Sequence, residues 1–257
     1  MYFRFRCAVA LTAAMALPSA SYAQSCFTGF QEALLILDAS GSMVARLPWG
    51  DTRINAARRA VKDVTAFFPP EAQLGLRFYG AQSPVSVRDC LDTNLAVPFG
   101  PVGEIGPAIA AAVDAARAQG YTPIDQALKE SINDFPPGMV ERVIVLVSDG
   151  KETCAGNPCQ TARDMGRRGF IIHTIGFLVD RLAREQLQCI ADATGGSYFD
   201  APTGPDLTQA LNAAFDACKV SALPPPGGPL GPAGIVFARG VAGDGAPSSW
   251  RSHSHVG

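Results

Sequence analysis

Apolar residues fall along the chain in two rhythms. Four short runs, Ala33–Leu37, Leu74–Tyr79, Val143–Val147 and Ile171–Ile175, are mostly aliphatic and do not alternate cleanly. A strand with one wet face alternates, whereas a continuous run predicts a strand covered on both faces, as in a parallel sheet. Leu95–Phe99 and Ser197–Asp200 are weaker strand candidates. The second rhythm is helical. Ile54, Ala57, Val61, Val64 and Phe68 recur at helical spacing until Pro69-Pro70 stops them. Ile105, Ile109, Ala112 and Ala116 repeat the pattern up to Gly120, and Ile124, Leu128, Ile132 and Phe135 repeat it up to Pro136-Pro137-Gly138. Asn157-Pro158 reads as the N-cap and first residue of a short helix reaching about Arg168. Asp180 caps a helix carrying Leu182, Leu187 and Ile190, and a last helix carries Leu207, Leu211, Ala214 and Phe215.

Strands alternating with helices predict βαβ units joined by right-handed crossovers. The expected fold class is therefore α/β: a Rossmann-like, doubly wound, mostly parallel central sheet flanked by helices on both faces. Residues 24–220 are enough for one domain with a real core. Composition changes on either side of it. Residues 1–23 open with Arg4 and Arg6, continue through the apolar stretch Cys7–Leu17 and end on the small residues Ser21 and Ala23. That order predicts a secretory signal peptide, too short for a membrane span, and hence a periplasmic or secreted protein. Residues 221–257 begin with the Pro/Gly-rich "PPPGGPLGPAG" and hold few apolar residues. They cannot offset the entropy of ordering, which predicts a disordered tail. His253 and His255, inside that tail, read as incidental.

Charge and cysteine usage narrow the function classes. Without residues 1–23 the chain loses two of its 21 basic residues and none of its 23 acidic ones, so a net charge of −2 becomes −4. That balance supports neither nucleic-acid nor anionic-membrane binding. Six cysteines remain after Cys7: Cys26, Cys90, Cys154, Cys159, Cys189 and Cys218. An even number in an exported chain predicts three disulfides, with fifteen connectivities open. The simplest guess closes a small loop with Cys154 and Cys159, ties the ends with Cys26 and Cys218, and leaves Cys90 for Cys189. Zinc is disfavoured, because Cys154-x4-Cys159 is not a knuckle spacing and no histidine lies near it.

The first strand run ends abruptly in "DASGS": Asp38, Ser40 and Ser42 follow a buried stretch. Ligands of open parallel sheets bind at the carboxyl ends of strands. Asp149-Gly150 follows the run Val143–Val147, and Thr122 opens the helix beginning near Ile124. The three loops would bring two carboxylates and three hydroxyls together. An all-oxygen set favours Mg²⁺, Mn²⁺ or Ca²⁺. Taken in order, "DASGS", the Thr of "GYTP" and the Asp of "VSDG" resemble the metal-ion-dependent adhesion site of von Willebrand factor type A domains, and "ETCAGNPC" is similar to what bacterial secreted members carry. The resemblance covers about Ala33 to Ala217. It implies that Ser40 and Ser42 bind the metal directly, that Thr122 binds directly or through water, and that Asp38 and Asp149 act through water or through the hydroxyls. One coordination position would stay open for an Asp or Glu side chain of a partner protein. Val44–Asp51, Gln82–Asn94 and Lys151–Asn157 are the expected rim, with Trp49 an aromatic anchor.

Each residue also has a structural reading. Ser40 and Ser42 suit a turn or cap, Thr122 before Pro123 suits a helix N-cap, and Asp149-Gly150 suits an ordinary turn. Asp38 is harder to explain that way, since a carboxylate among apolar residues needs a partner. Enzyme readings find less support. "DASGS" is not G-x-S-x-G, no P-loop or G-x-G-x-x-G occurs, and His173 sits inside a strand run. The expectation is an adhesion-type binding module rather than an enzyme. The alternatives are a metal-dependent hydrolase of a phosphorylated substrate, for which Ser40 stands where a second Asp is needed, and a structural domain with an unoccupied site.

Overall fold

The computed structural model describes residues 32–139 and 142–216. Six strands form one sheet: β1 (Glu32–Asp38), β2 (Gln73–Tyr79), β3 (Thr93–Pro101), β4 (Arg142–Ser148), β5 (Phe170–Phe177) and β6 (Tyr198–Ala201). Their spatial order is β3-β2-β1-β4-β5-β6. All neighbours run parallel except β3, which returns antiparallel along β2. Five helices lie between strands, α1 (Arg53–Thr65), α2 (Val102–Ala115), α3 (Ile124–Ser131), α4 (Pro158–Gly166) and α5 (Arg181–Asp192), and α6 (Gly204–Asp216) follows β6.

The continuous apolar runs are strands buried on both faces, as the lack of alternation predicts. Leu35, Leu37, Val145 and Val147 face a core shared with α1, α2 and α6. Leu34, Ile36, Ile144 and Leu146 face a second core shared with α3, α4 and α5. The chain winds outward from β1 in one direction through β2 and in the other from β4, so the loops after β1 and β4 part at the sheet's switch point. That is where a doubly wound sheet opens a crevice.

Local signals mostly hold. Asn157 Oδ1 accepts from Gln160 N–H at 3.1 Å and Asp180 Oδ1 from Ala183 N–H at 2.8 Å, and Thr52, which the sequence did not single out, caps α1 by accepting from Asn55 N–H at 3.3 Å. His173 is a buried strand residue whose Nδ1 accepts from Ser197 N–H at 3.1 Å. One alternative reading and one expectation fail. The start of α3 is capped not by Thr122, the structural alternative to its metal role, but by Glu152, whose Oε2 accepts from Asp125 N–H at 2.8 Å. The disulfides are Cys90–Cys154 and Cys159–Cys189, with Cα separations of 5.5 and 5.6 Å. Cys159 lies on α4, which packs along α5 and so meets Cys189 rather than Cys154 five residues before it. The expected Cys26–Cys218 bridge, the signal peptide and the tail lie outside the described residues. Among the described residues no helix is long and apolar enough to cross a membrane.

Candidate functional site

Asp38 closes β1 and is fully buried. Its Oδ1 accepts from Ser40 N–H at 2.7 Å. Its Oδ2 accepts from Tyr79 OH at 2.8 Å, Ser148 Oγ at 2.9 Å and, more weakly, Asp149 N–H at 3.3 Å. Tyr79 is the register partner of Asp38 across the β1–β2 ladder, and its hydroxyl also lies 2.8 Å from Ser148 Oγ. Burial raises the Asp38 pKa to about 6, and repulsion from Asp149 adds to the rise, against the lowering effect of the Ser40 and Tyr79 hydrogen bonds. Burial, and then the Asp38 charge, push the Tyr79 phenol well above its ordinary value, so it remains a donor.

The polypeptide then turns through a short 3₁₀ segment, Gly41–Val44, which brings the two serines to one side. Ser40 is buried and Ser42 exposed, and their hydroxyls are 3.0 Å apart. Ser42 Oγ donates to Asp149 Oδ1 at 2.5 Å. Asp149, just beyond β4, has a fully buried carboxylate whose Oδ2 accepts from Arg53 Nη1 at 2.8 Å. Four of the five predicted residues thus form one hydrogen-bonded chain from Asp38 through Ser40 and Ser42 to Asp149.

Thr122 is brought to the same edge through its backbone. Gly41 N–H donates to Gly120 O at 2.8 Å, and Ser40 bridges Gly120 in parallel fashion. Two residues on, Thr122 N–H donates to Thr153 Oγ1 at 2.8 Å and Thr122 O accepts from Thr153 N–H at 3.2 Å. Thr122 is therefore clipped to the loop after β4. Gly80 makes the approach of the Ser40 and Tyr121 segments possible. Its φ is +69°, and a Cβ there would sit 2.5 Å from Tyr121 O and 2.8 Å from Ser40 Cα.

Sequence reasoning missed Tyr79, Ser148 and Arg53. Tyr79 carried a signal in hindsight, a polar-tipped residue ending an apolar run opposite Asp38. Ser148 adjoins the recognised Asp149. Arg53 had none, because only the folded turn swings the start of α1 over Asp149. Both carboxylates are fully engaged, Asp38 by uncharged donors and Asp149 by a serine and a guanidinium. The accessible oxygens of the cluster are hydroxyls. Among the described residues no three His, Cys, Asp or Glu side chains gather to hold a metal, so any cation here would rely on serine and threonine oxygens.

The model of the von Willebrand factor type A domain family matches residues 34–213. The protein YwmC of Bacillus subtilis is 30% identical over 181 residues, spanning 68% of this chain and 78% of its own. The fold is shared with the pilus adhesin SpaC of Lactobacillus rhamnosus GG, with a TM-score of 0.60, 18% identity and coverage of 73% of this chain and 30% of that one. It is shared also with proximal thread matrix protein 1 of the mussel byssus, described with a zinc-occupied MIDAS motif, with a TM-score of 0.56, 19% identity and coverage of 74% and 46%.

Proposed function

The chain belongs to the von Willebrand factor type A domain family, and from that premise we propose that it is an exported binding module. It holds a divalent cation of the Mg²⁺ class at Asp38, Ser40, Ser42, Thr122 and Asp149, and captures an Asp or Glu side chain of a partner protein. The single observation that carries the proposal is the hydrogen-bonded chain joining four of these residues at the switch point.

The donor set fits such an ion. Oxygens sharing one octahedral Mg²⁺ at about 2.1 Å lie roughly 3 Å from one another, and the two serine oxygens are 3.0 Å apart. Ser42 gives its one proton to Asp149, so Ser40 donates in the 3.0 Å contact, and one lone pair on Ser42 and two on Ser40 are left for a cation. Asp38 fixes the Ser40 backbone and stands one layer back. When bound, the cation supplies a positive centre that attracts an anionic oxygen. The neutral hydroxyls around it leave that charge largely uncompensated, and Arg53 already balances Asp149. An acidic side chain is the matching ligand.

Three further features support the reading. The two disulfides suit an oxidising compartment, in line with the signal peptide expected over residues 1–23. The mussel relative is described with an occupied site of this type, and SpaC is an adhesin. Against a hydrolase stands the burial of Asp38, a carboxylate taken up by donors and closed to a phosphorylated substrate.

Calorimetric titration with Mg²⁺ and Mn²⁺ tests the proposal. The pair Ser40→Ala and Ser42→Ala is expected to abolish the binding heat while leaving the circular-dichroism spectrum unchanged. An unaltered titration in that double variant would reject the site.

A further inference from the structure

We propose that the loop between β2 and β3 is an apolar recognition surface, selecting partners in which the captured acid is flanked by branched aliphatic side chains. This rests on the capture reading above and names the partner's chemistry.

The starting observation is where the exposed apolar residues lie. Among the described residues the large hydrophobic side chains left in water are Val44, Trp49, Phe67, Val85, Val87, Leu91 and Leu182. All except Phe67 follow the carboxyl end of a strand, on the edge that carries the candidate site. Val85, Val87 and Leu91 are 55%, 62% and 71% exposed within seven residues of one another. Single exposed aliphatics are ordinary, but a cluster beside a binding edge marks a contact surface.

The loop is close to the site and built rigidly. Gly41 N–H donates to Gly120 O and Val85 N–H to Gln119 O at 2.7 Å, so consecutive carbonyls of one segment hold the site turn and the apolar loop. A Cβ on Gly120 would meet Gly80 Cα and Ser83 O at 2.8 Å and Asp92 Oδ2 at 2.9 Å. Only one backbone strand separates Ser40–Gly41 from the loop's base. Inside the loop, the buried Asp92 carboxylate accepts from Gln82 N–H and Ser83 N–H, and Gly80 N–H donates to Asp92 O. Asp89 accepts from Ser83 Oγ at 2.8 Å and from Leu91 N–H at 2.9 Å. The Cys90–Cys154 disulfide fastens the loop to the segment after β4. At its tip Arg88 is held at φ 56°, a left-handed conformation that a non-glycine residue adopts only when its surroundings impose it.

A loop so fixed cannot fold its valines away, and presenting them ready-made lowers the ordering cost of association. The exposed Arg88 and Lys151 are offset by Asp89, Asp92 and Glu152, so the loop carries no net positive charge; the cation of the neighbouring site would take the acid, and the loop would select the aliphatic side chains beside it. A negatively charged protein is unsuited to the anionic lipid that a membrane-seeking apolar loop would meet.

The test probes an array of Asp-centred decapeptides with systematically varied flanks, using the disulfide-intact chain in Mg²⁺ and again after chelation. Peptides with Val, Ile or Leu within three positions of the Asp are expected to bind at least about tenfold more tightly than Ser/Gly-flanked ones. The preference should vanish in the triple variant Val85→Ser, Val87→Ser, Leu91→Ser, whose Mg²⁺ titration remains normal. If the cation titrates normally but peptides bind without regard to flanks, this inference falls and the capture site stands; if the cation titrates but no peptide binds, both this inference and the capture of an acid fall, leaving a cation site alone. If no cation binds, the capture reading itself falls. Chelator-insensitive partition into phosphatidylcholine vesicles, lost in the triple variant, would assign the loop to lipid and overturn the proposal.

Discussion

Replacing Gly80 with alanine tests whether the close approach at this glycine sets the site's geometry. Two penalties act there. The left-handed φ of +69° disfavours any side chain by about 1–2 kcal/mol. The new methyl would also lie 2.5 Å from Tyr121 O and 2.8 Å from Ser40 Cα, where ordinary contact begins at 3.4 Å. Both atoms belong to backbone, so the segments carrying Ser40 and Thr122 must part by about 1 Å, an overpacking cost of roughly 1–3 kcal/mol. Gly50→Ala is the control, since its φ is +91° but nothing lies within 4 Å of its Cβ position. The stiffening of the unfolded chain by alanine is common to both variants and cancels in their difference. Urea denaturation should therefore show Gly80→Ala less stable than Gly50→Ala by roughly 1–3 kcal/mol. Thermal midpoints should differ by several degrees, at about 2–4 °C per kcal/mol for a domain of this size. Mg²⁺ calorimetry should show weakened binding only in Gly80→Ala. Equal stability of the two variants would refute the steric argument. A destabilised Gly80→Ala with intact Mg²⁺ affinity would refute the link between this spacing and the site.

Further outcomes follow from other contacts. Thr153→Val strips Thr122 N–H of its acceptor, which should destabilise the fold by about 1–3 kcal/mol and lower Mg²⁺ affinity, read by denaturation and calorimetry. Arg77, two residues before Tyr79 on β2, and Asp134 form a buried bidentate pair at 2.6 and 2.7 Å that shares no hydrogen-bond partner with the five candidate site residues. Asp134→Ala should cost about 3–5 kcal/mol by leaving a buried guanidinium unpaired, with Mg²⁺ affinity unchanged. Burial holds the His173 pKa below its ordinary 6.5. The unfolded chain then binds the extra proton first, so this contribution is complete above pH 6.5 and is lost as pH falls below it. Thermal scans in chelator from pH 7 to pH 5 should show a steeper loss in the native chain than in His173→Asn, whose amide oxygen can still accept from Ser197 N–H. Asp38 acts in the opposite sense, its raised pKa removing stability as pH climbs through about 6, and it cancels in the comparison.

The strands β1, β2, β4 and β5 were legible because burial on both faces writes itself as an unbroken apolar run. The edge strand β3 was fainter. Only Val97 and Gly100 of its residues are buried, and Pro98 interrupts the run. Asp38 and Asp149 stood out as charges at the ends of apolar stretches. Tyr79, Ser148 and Arg53 did not, since their roles depend on ladder register and on the direction a turn takes. Glu152 displaced Thr122 as the cap of α3 for a similar reason, a long side chain reaching across from another loop. The disulfide guess failed because α4 begins between Cys154 and Cys159 and carries Cys159 to α5 and Cys189.

The Cys90–Cys154 bond couples two walls of the mouth that hang from different strands. Any swing of one drags the other, so they behave as a single jaw. The loop after β1, residues 39–52, holds no cysteine and has no such stitch. Residues 47–51 project beyond the Arg46–Thr52 bridge as a small ear, closed on itself by Leu47 N–H to Asp51 O at 2.7 Å and Gly50 N–H to Leu47 O at 2.9 Å. Trp49, at its tip, lines a hollow with Ala60 of α1 and Pro205 of α6, so a swing of this ear would register on the flank between those two helices, away from the jaw.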